Sequence, residues 1–199
     1  SAIIEAAAEK GLKTTVELGE AAFYGPKLDI QIKNVFGKED TIVTIQIDFQ
    51  IAERFNMVYT DADGSKKYPY IIHRTSLGCY ERTLAYLIEK YAGALPLWMS
   101  SEQVRVMNIT DNSLDYAEMV YNRLCNASIR AKLDARNEKI GYKIRESISQ
   151  KIPYMIIVGD GEKEKGTISI RGRGNENVSG IKLEDFITRL QEEIKTLKR

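Results

Sequence analysis

Histidine and cysteine are scarce in this chain. His73 is the single histidine of 199 residues, and the two cysteines are Cys79 and Cys125. The cysteines form no CxxC pair, so nothing suggests a disulfide framework. A zinc site needs about four ligands, three from protein in catalytic cases, and neither cysteine stands at a recognisable ligand spacing from His73. The chain cannot complete a site of that kind from its own residues. No apolar run is long enough to cross a bilayer. The opening Ser1-Ala2-Ile3-Ile4-Glu5-Ala6 lacks the basic-then-apolar layout of a signal peptide, which makes a cytosolic, cytoplasmic location the default. Repeats and low-complexity tracts are absent. A net charge of only +1 excludes a molecule that binds nucleic acid through its overall charge.

What is present is an ordinary globular composition, 43% apolar and 29% charged, with length for one large domain or two modest ones. The charge is uneven. From Glu102 to the end there are 18 Lys and Arg against 15 Asp and Glu. Between Arg130 and Lys151 there are seven basic and three acidic residues. Such a cluster reads either as a solvated mixed-charge surface or as a source of phosphate contacts, which need several bases on one face.

Periodicity divides the chain. Ile3, Ile4, Ala7 and Ala8 fit a helical face that Gly11 ends, and Thr14 to Leu18 with Phe23 read as strand. Pro26 makes Tyr24-Gly25-Pro26-Lys27 a turn or an extended kink. Leu28, Ile30 and Ile32 alternate with polar residues; Asn34 to Asp40 forms a hairpin connection; Ile42 to Phe49 is the second strand. Asp63-Gly64 marks a further turn, and Leu84, Leu87, Ile88 and Tyr91 stripe a helix. Strands joined by short turns and closed by a buried helix indicate an α+β unit with an antiparallel sheet. Gly93 to Gln103 reads as a boundary, which gives domains 1–99 and 100–199. Beyond it, strands at Val104 to Ile109, Ile129 to Leu133, Tyr154 to Val158 and Ile168 to Ile170 alternate with helices. Asn112 or Ser113 caps the first of these helices, Ile140, Ile144 and Ile148 stripe the second, and Leu183 to Leu197 is the last. That order argues for a three-layer α/β domain with a mostly parallel sheet.

The residues that bear chemistry begin with Ile71-Ile72-His73-Arg74-Thr75-Ser76-Leu77-Gly78-Cys79-Tyr80-Glu81-Arg82. A lone histidine is more often structural than ligating, and a Glu-Arg pair at a helix start is common. A guanidinium can nevertheless stack on a flat base, and glycine lets backbone approach a ligand. Taken together with the helix that follows, the stretch resembles motif 3 of class II aminoacyl-tRNA synthetases. The histidine narrows the resemblance to threonyl-tRNA synthetases. The resemblance implies that Arg82 lies on the adenine of ATP as the catalytic arginine, with Ser76 and Gly78 at the substrate. It also implies that His73 is one zinc ligand whose companions lie outside this chain. Tyr24-Gly25-Pro26-Lys27 and Gln46 match further residues of that family's aminoacyl pocket, Tyr24, Lys27 and Gln46 being its substrate contacts. The plainer readings are a strand-end aromatic for Tyr24 and a solvent-facing strand residue for Gln46. One departure is Thr41, where the family usually places a second pocket glutamine. Cys79, where many members have serine, reads as a small packing residue, since no histidine remains to act as its base.

Asp134-Ala135-Arg136-Asn137-Glu138-Lys139-Ile140-Gly141 and Pro153-Tyr154-Met155-Ile156-Ile157-Val158-Gly159-Asp160 resemble the anticodon-binding domain shared by class IIa synthetases. Asn137, Lys139, Glu162 and Arg171 fall where the threonine enzymes contact anticodon bases, chemistry suited to splayed single-stranded bases. The plain alternative for Asn137-Glu138 is a helix N-cap followed by an acid.

The resemblance spans essentially the whole chain and implies an incomplete class II catalytic domain followed by an anticodon-binding domain. The implied parent is an ATP-dependent threonine–tRNA ligase, a homodimer. It uses threonine, ATP with magnesium and threonine tRNA, and zinc coordinates the amine and hydroxyl of threonine. Motifs 1 and 2 and an editing domain are not visible. This chain alone is therefore expected to be inactive and to bind no zinc. Two rivals stand beside this reading: a non-catalytic RNA-binding paralogue that uses only the second domain, and a small-molecule ligase of class II fold.

Overall fold

The computed structural model describes residues 2–198, the side chain of Asn175 excepted. Two compact units follow one another, Ser1–Lys90 and Tyr91–Arg199. The division falls ahead of the 99/100 join expected from sequence, because Leu97 is buried in the core of the second unit.

The first unit opens with α1 (Ala2–Glu9), ended by Gly11 at φ 67°. The strand expected over Thr14 to Leu18 and Phe23 does not form. Residues 12–17 lie in no regular element, and Val16, Leu18 and Phe23 are exposed. Their β-branched and aromatic character finds no partner strand among the described residues, and propensity without a partner makes no strand. The hairpin does form. β1 (Lys27–Lys33) pairs antiparallel with β2 (Glu39–Asp48), with a bulge between Ile30 and Gln31. Asn34 closes the turn, its Oδ1 accepting from the amides of Phe36 and Lys38 at 3.0 Å each. A short α2 (Ile51–Arg54) and a two-residue hairpin of β3 (Tyr59–Thr60) and β4 (Lys66–Lys67) around Gly64 lead to β5 (Ile71–Arg74). β5 pairs with the other edge of β2, giving an antiparallel sheet β1-β2-β5.

α3 (Tyr80–Tyr91) was expected to be buried, and no residue of it is; Leu84 and Ile88 are about half exposed. The buried apolar side chains of this unit are Ala7 and Ala52. An amphipathic stripe needs an opposing apolar layer, and a three-stranded sheet whose other face is polar supplies little of one.

The second unit carries a sheet of order β10-β9-β8-β6-β7. Its strands are β6 (Val104–Asn108), β7 (Ala131–Asp134), β8 (Tyr154–Val158), β9 (Ile168–Gly172) and β10 (Asn177–Ile181). β6 runs parallel to both β7 and β8, whereas β8–β9 and β9–β10 are antiparallel. The sheet is thus mixed rather than mostly parallel: only α6 (Asp160–Lys165), too short for a crossover, separates β8 from β9. α4 (Leu114–Asn126) and α7 (Leu183–Lys195) bury Val120, Leu124, Phe186 and Leu190 against Val106, Ile156 and Ile170 on one face. α5 (Ile140–Ser149) covers the other face, where Arg105 and Met107 point. α7 stops at Lys195, so Leu197, at φ 51°, lies beyond the helix it was assigned to. Ser113 precedes α4 without capping it through its side chain; its hydroxyl instead lies within donating distance of the carbonyls of Thr110, at 2.9 Å, and Val158, at 3.2 Å.

Candidate functional site

On the first sheet, alternation puts Thr44, Gln46 and Asp48 of β2 on one face. Register sets Lys27 and His73 on either side of Gln46, and Asp29 opposite Thr44. The Tyr24 hydroxyl donates to Gln46 Oε1 at 2.8 Å, and its ring lies 6.1 Å from that of His73. Gln46 is therefore a half-buried, bonded residue rather than a solvent-facing one. The Lys27 ammonium lies 2.8 Å from Asp29 Oδ2, and Thr44 Oγ1 donates to Asp29 Oδ1. The bond to Asp29 raises Lys27 above the ordinary lysine value. Burial lifts the Asp29 carboxyl, but Lys27 and Thr44 outweigh it and the net shift is downward.

His73 Nε2 lies 3.1 Å from Asp48 Oδ2, a buried carboxylate whose Oδ1 accepts from the amides of Gln50 and Ile51 at 2.8 and 2.9 Å. Burial lifts the Asp48 carboxyl, but the two amides and the imidazole outweigh that and hold it below its usual range. A neutral imidazole that donates Nε2–H to a carboxylate presents its Nδ1 lone pair, the arrangement common for a metal-bound histidine. Among the described residues no three His, Cys, Asp or Glu side chains gather as a metal-holding set. The groups present amount to an imidazole oriented by a buried carboxylate.

Gly78, at φ 66°, packs where a Cβ would stand 2.2 Å from the Ile42 carbonyl oxygen. This close approach brings the start of α3 onto β2, and Arg82 Nη1 donates to the Thr41 carbonyl at 2.9 Å. Arg82 is exposed, as is Ser76 in the bend between β5 and α3. The interaction seen at Thr41, the residue that departs from the resemblance, runs through its backbone, which any side chain there supplies.

In the second unit Asn137 and Lys139 are exposed in the loop from β7 to α5. The N-cap of α5 is Lys139, so Asn137 does not cap the helix. Glu162, beyond the end of β8, accepts from Ser169 Oγ at 2.7 Å and from the Gly159 amide at 3.0 Å. The bond from Ser169 leads in lowering its carboxyl, against burial. A carboxylate keeps further lone pairs beyond these two bonds. Asn137, Lys139 and Glu162 thus stand at the carboxyl edge of the parallel strands. Arg171, on β9 opposite Met155 of β8, is two residues from Ser169 and shares its sheet face. It lines a cleft of about 300 Å³ with Lys151, Ile152, Met155 and Arg173.

The basic stretch from Arg130 to Lys151 is not one surface. Arg130 donates to the carbonyls of Ser100 and Trp98, and Arg136 is paired with Asp134 and Glu146. Lys143 is 1% exposed. The other six cations are exposed, but Arg130, Lys132 and Arg136 are engaged with protein partners, Lys132 with Glu102 at 3.4 Å. The residues that sequence reasoning missed are Asp48, Asp29 and Asn108. Asp48 was within reach, two residues beyond Gln46 and hence on the same strand face.

Residues 3–91 match the family model of the tRNA synthetase class II core domain (G, H, P, S and T), and residues 103–193 match that of the anticodon binding domain. A threonine–tRNA ligase of Clostridium botulinum (strain Eklund 17B / Type B) is 57% identical over 180 residues, 90% of this chain and 28% of the relative. One of Cytophaga hutchinsonii is 47% identical over 193 residues, 97% of this chain and 30% of the relative. The chain therefore spans less than a third of the length of these relatives. A crystal structure of the RNA binding domain of threonyl-tRNA synthetase from Cryptosporidium parvum Iowa II superposes with a TM-score of 0.83 at 32% identity. That match covers 96% of this chain and 48% of the other.

Proposed function

Since the chain belongs to the threonyl-tRNA synthetase family, joining a fragment of a class II core to an anticodon-binding domain, we propose that it supplies part of the aminoacyl and adenine contacts and the anticodon reading of a threonine–tRNA ligase. The parent reaction joins threonine to the α-phosphate of ATP with loss of pyrophosphate. The threonyl group then passes from the adenylate to a hydroxyl of the terminal ribose of its tRNA, with release of AMP. The observation that carries this reading is the polar face of the first sheet, where one strand places Gln46 between Lys27 and His73 and under the Tyr24 hydroxyl. Tyr24 and Gln46 would orient the threonine headgroup. Arg82, held at one nitrogen by the Thr41 carbonyl, would offer its plane to adenine. His73 would be one zinc ligand, zinc supplying recognition of the threonine amine and hydroxyl when bound. Such a polar site rejects an isostere that lacks the hydroxyl. Magnesium would accompany ATP. The remainder of the class II core, present in relatives of greater length, would cover the apolar stripe of α3.

In the second unit, Asn137, Lys139 and Glu162 at the carboxyl edge and Arg171 at its cleft would read anticodon bases. The test is binding of the chain to an isolated stem-loop with a threonine anticodon and to an unrelated stem-loop. The expectation is preference for the threonine stem-loop, reduced by ~1–3 kcal/mol in Asn137→Ala. Equal binding of both stem-loops by the unaltered chain, across a range of salt, would remove the anticodon reading and favour a generic α/β domain.

A further inference from the structure

Lys143 is among the largest fully buried side chains of the molecule, at 1% exposure. A charge so placed is costly unless its hydrogens are matched. Its three hydrogens find three acceptors: the Asp134 carbonyl at 2.9 Å, Asn108 Oδ1 at 3.2 Å and the Asn108 carbonyl at 3.3 Å. These acceptors are the last residues of β7 and β6, where two parallel strands end and their loops diverge. An apolar side chain at 143 would leave strand-end carbonyls without partners.

The same place is tied from above. Asp134 takes Arg136 in a two-pronged pair, Nε to Oδ1 at 2.8 Å and Nη2 to Oδ2 at 2.7 Å, and Arg136 also reaches Glu146. The loop of residues 135–139, which carries Asn137 and Lys139, is thus anchored twice to α5, at Lys143 below and Glu146 above. From Asn108 the chain of bonds continues: Asn108 Nδ2 donates to the Thr110 carbonyl at 3.0 Å, and Thr110 Oγ1 to Asp160 Oδ1 at 2.9 Å, at the start of the helix that carries Glu162.

We propose that Lys143 is a positioning residue for RNA recognition: from inside the domain it holds the ends of β6 and β7 so that the 135–139 loop presents Asn137 and Lys139 in one fixed arrangement, without touching RNA itself. The proposal rests on the anticodon reading above for its functional consequence, but not for its structural content. The test compares the unaltered chain with Lys143→Met, which keeps the stem and removes the ammonium, and with Asn108→Ala, which removes one of the three acceptors. Arg145→Ala, an exposed cation of α5 outside the loop, is the surface control. Two readouts are taken: affinity for threonine and unrelated stem-loops over a salt series, and amide hydrogen exchange across 134–143 without RNA.

Lys143→Met should lower the preference for the threonine stem-loop about tenfold, the scale of one lost base contact. It should leave the slope of affinity against salt unchanged, because no phosphate contact is lost. Exchange in the loop should quicken in both variants, less in Asn108→Ala. Arg145→Ala should flatten the salt slope instead and leave the preference ratio unchanged. A folding defect alone would weaken both stem-loops equally; an unchanged preference ratio in a folded Lys143→Met overturns the proposal, as does a flattened salt slope. If the unaltered chain shows no preference, the anticodon reading fails and exchange decides the rest: faster loop exchange supports the positioning role, and unchanged exchange overturns it.

Discussion

Asp48 divides its two oxygens between the backbone and an imidazole, so the turn into α2 and the orientation of His73 are one structural decision. Arg82 shows the same economy, with one nitrogen on a backbone carbonyl and the rest of the guanidinium exposed. Its proposed contribution is a plane as well as a charge. Lysine would keep the charge, lose the plane and be too flexible to hold the same carbonyl. In the intact enzyme Arg82→Lys is therefore expected to resemble Arg82→Ala in ATP affinity, each weaker by about 1–2 kcal/mol. Isothermal titration of the three proteins with ATP checks this. Affinity of Arg82→Lys equal to that of the unaltered enzyme would mean that charge alone is used.

At the scale of elements, two glycines set how closely neighbouring segments approach β2. A Cβ on Gly25 would lie 2.0 Å from the Ile47 carbonyl oxygen, and one on Gly78 would lie 2.2 Å from that of Ile42. Gly78 also has φ 66°, a region where a Cβ is strained. Gly78→Ala is expected to destabilise the first unit by about 2–3 kcal/mol through strain and backbone displacement together. Thermal unfolding followed by circular dichroism measures it, and a change below about half a kcal/mol would show that the α3 start moves without cost. Both glycines were singled out within their motifs from sequence, but the carbonyls they meet were not, because those contacts are long-range.

The same limit explains the rest. Periodicity located β1, β2 and the last helix, where one face is buried more than the other, whereas β8 was legible as a continuously apolar run because both its faces are covered. It failed at Thr14 to Leu18, where apolar residues lack a partner, and at α3, whose stripe is real but uncovered. It also could not tell surface lysines from Lys143, because a buried cation matched by carbonyls leaves no mark in composition. Tyr24, Gln46 and His73 were named from a resemblance, and strand register explains why they meet.

At the scale of the whole molecule, the two units differ in what holds them. The second has a closed apolar core, and, like Asp29 and Asp48 of the first, several of its carboxylates are set below their ordinary values. Asp134 is lowered chiefly by Arg136, Glu162 by Ser169 and Glu176 by Arg189. An acid whose folded pKa lies below its unfolded one adds stability above the unfolded value and loses it as pH falls through the folded one. The ordinary values are 3.8 for Asp134 and 4.5 for the two glutamates, so the second unit should hold its full stability above about 4.5 and weaken progressively below. Trp98, the only tryptophan, lies in this unit and gives a selective signal. Urea midpoints read from its fluorescence should be flat near neutrality and fall as pH drops through 4.5 and 3.8. Asp134→Asn should start from a lower midpoint at neutral pH, because Arg136 loses its charged partner, and should fall less steeply in acid, because one linked proton is gone. A variant that kept the full acid slope would show that Asp134 takes up no linked proton, and that the acid sensitivity of this unit lies with the other lowered carboxylates, Glu162, Glu176 and Asp115 among them.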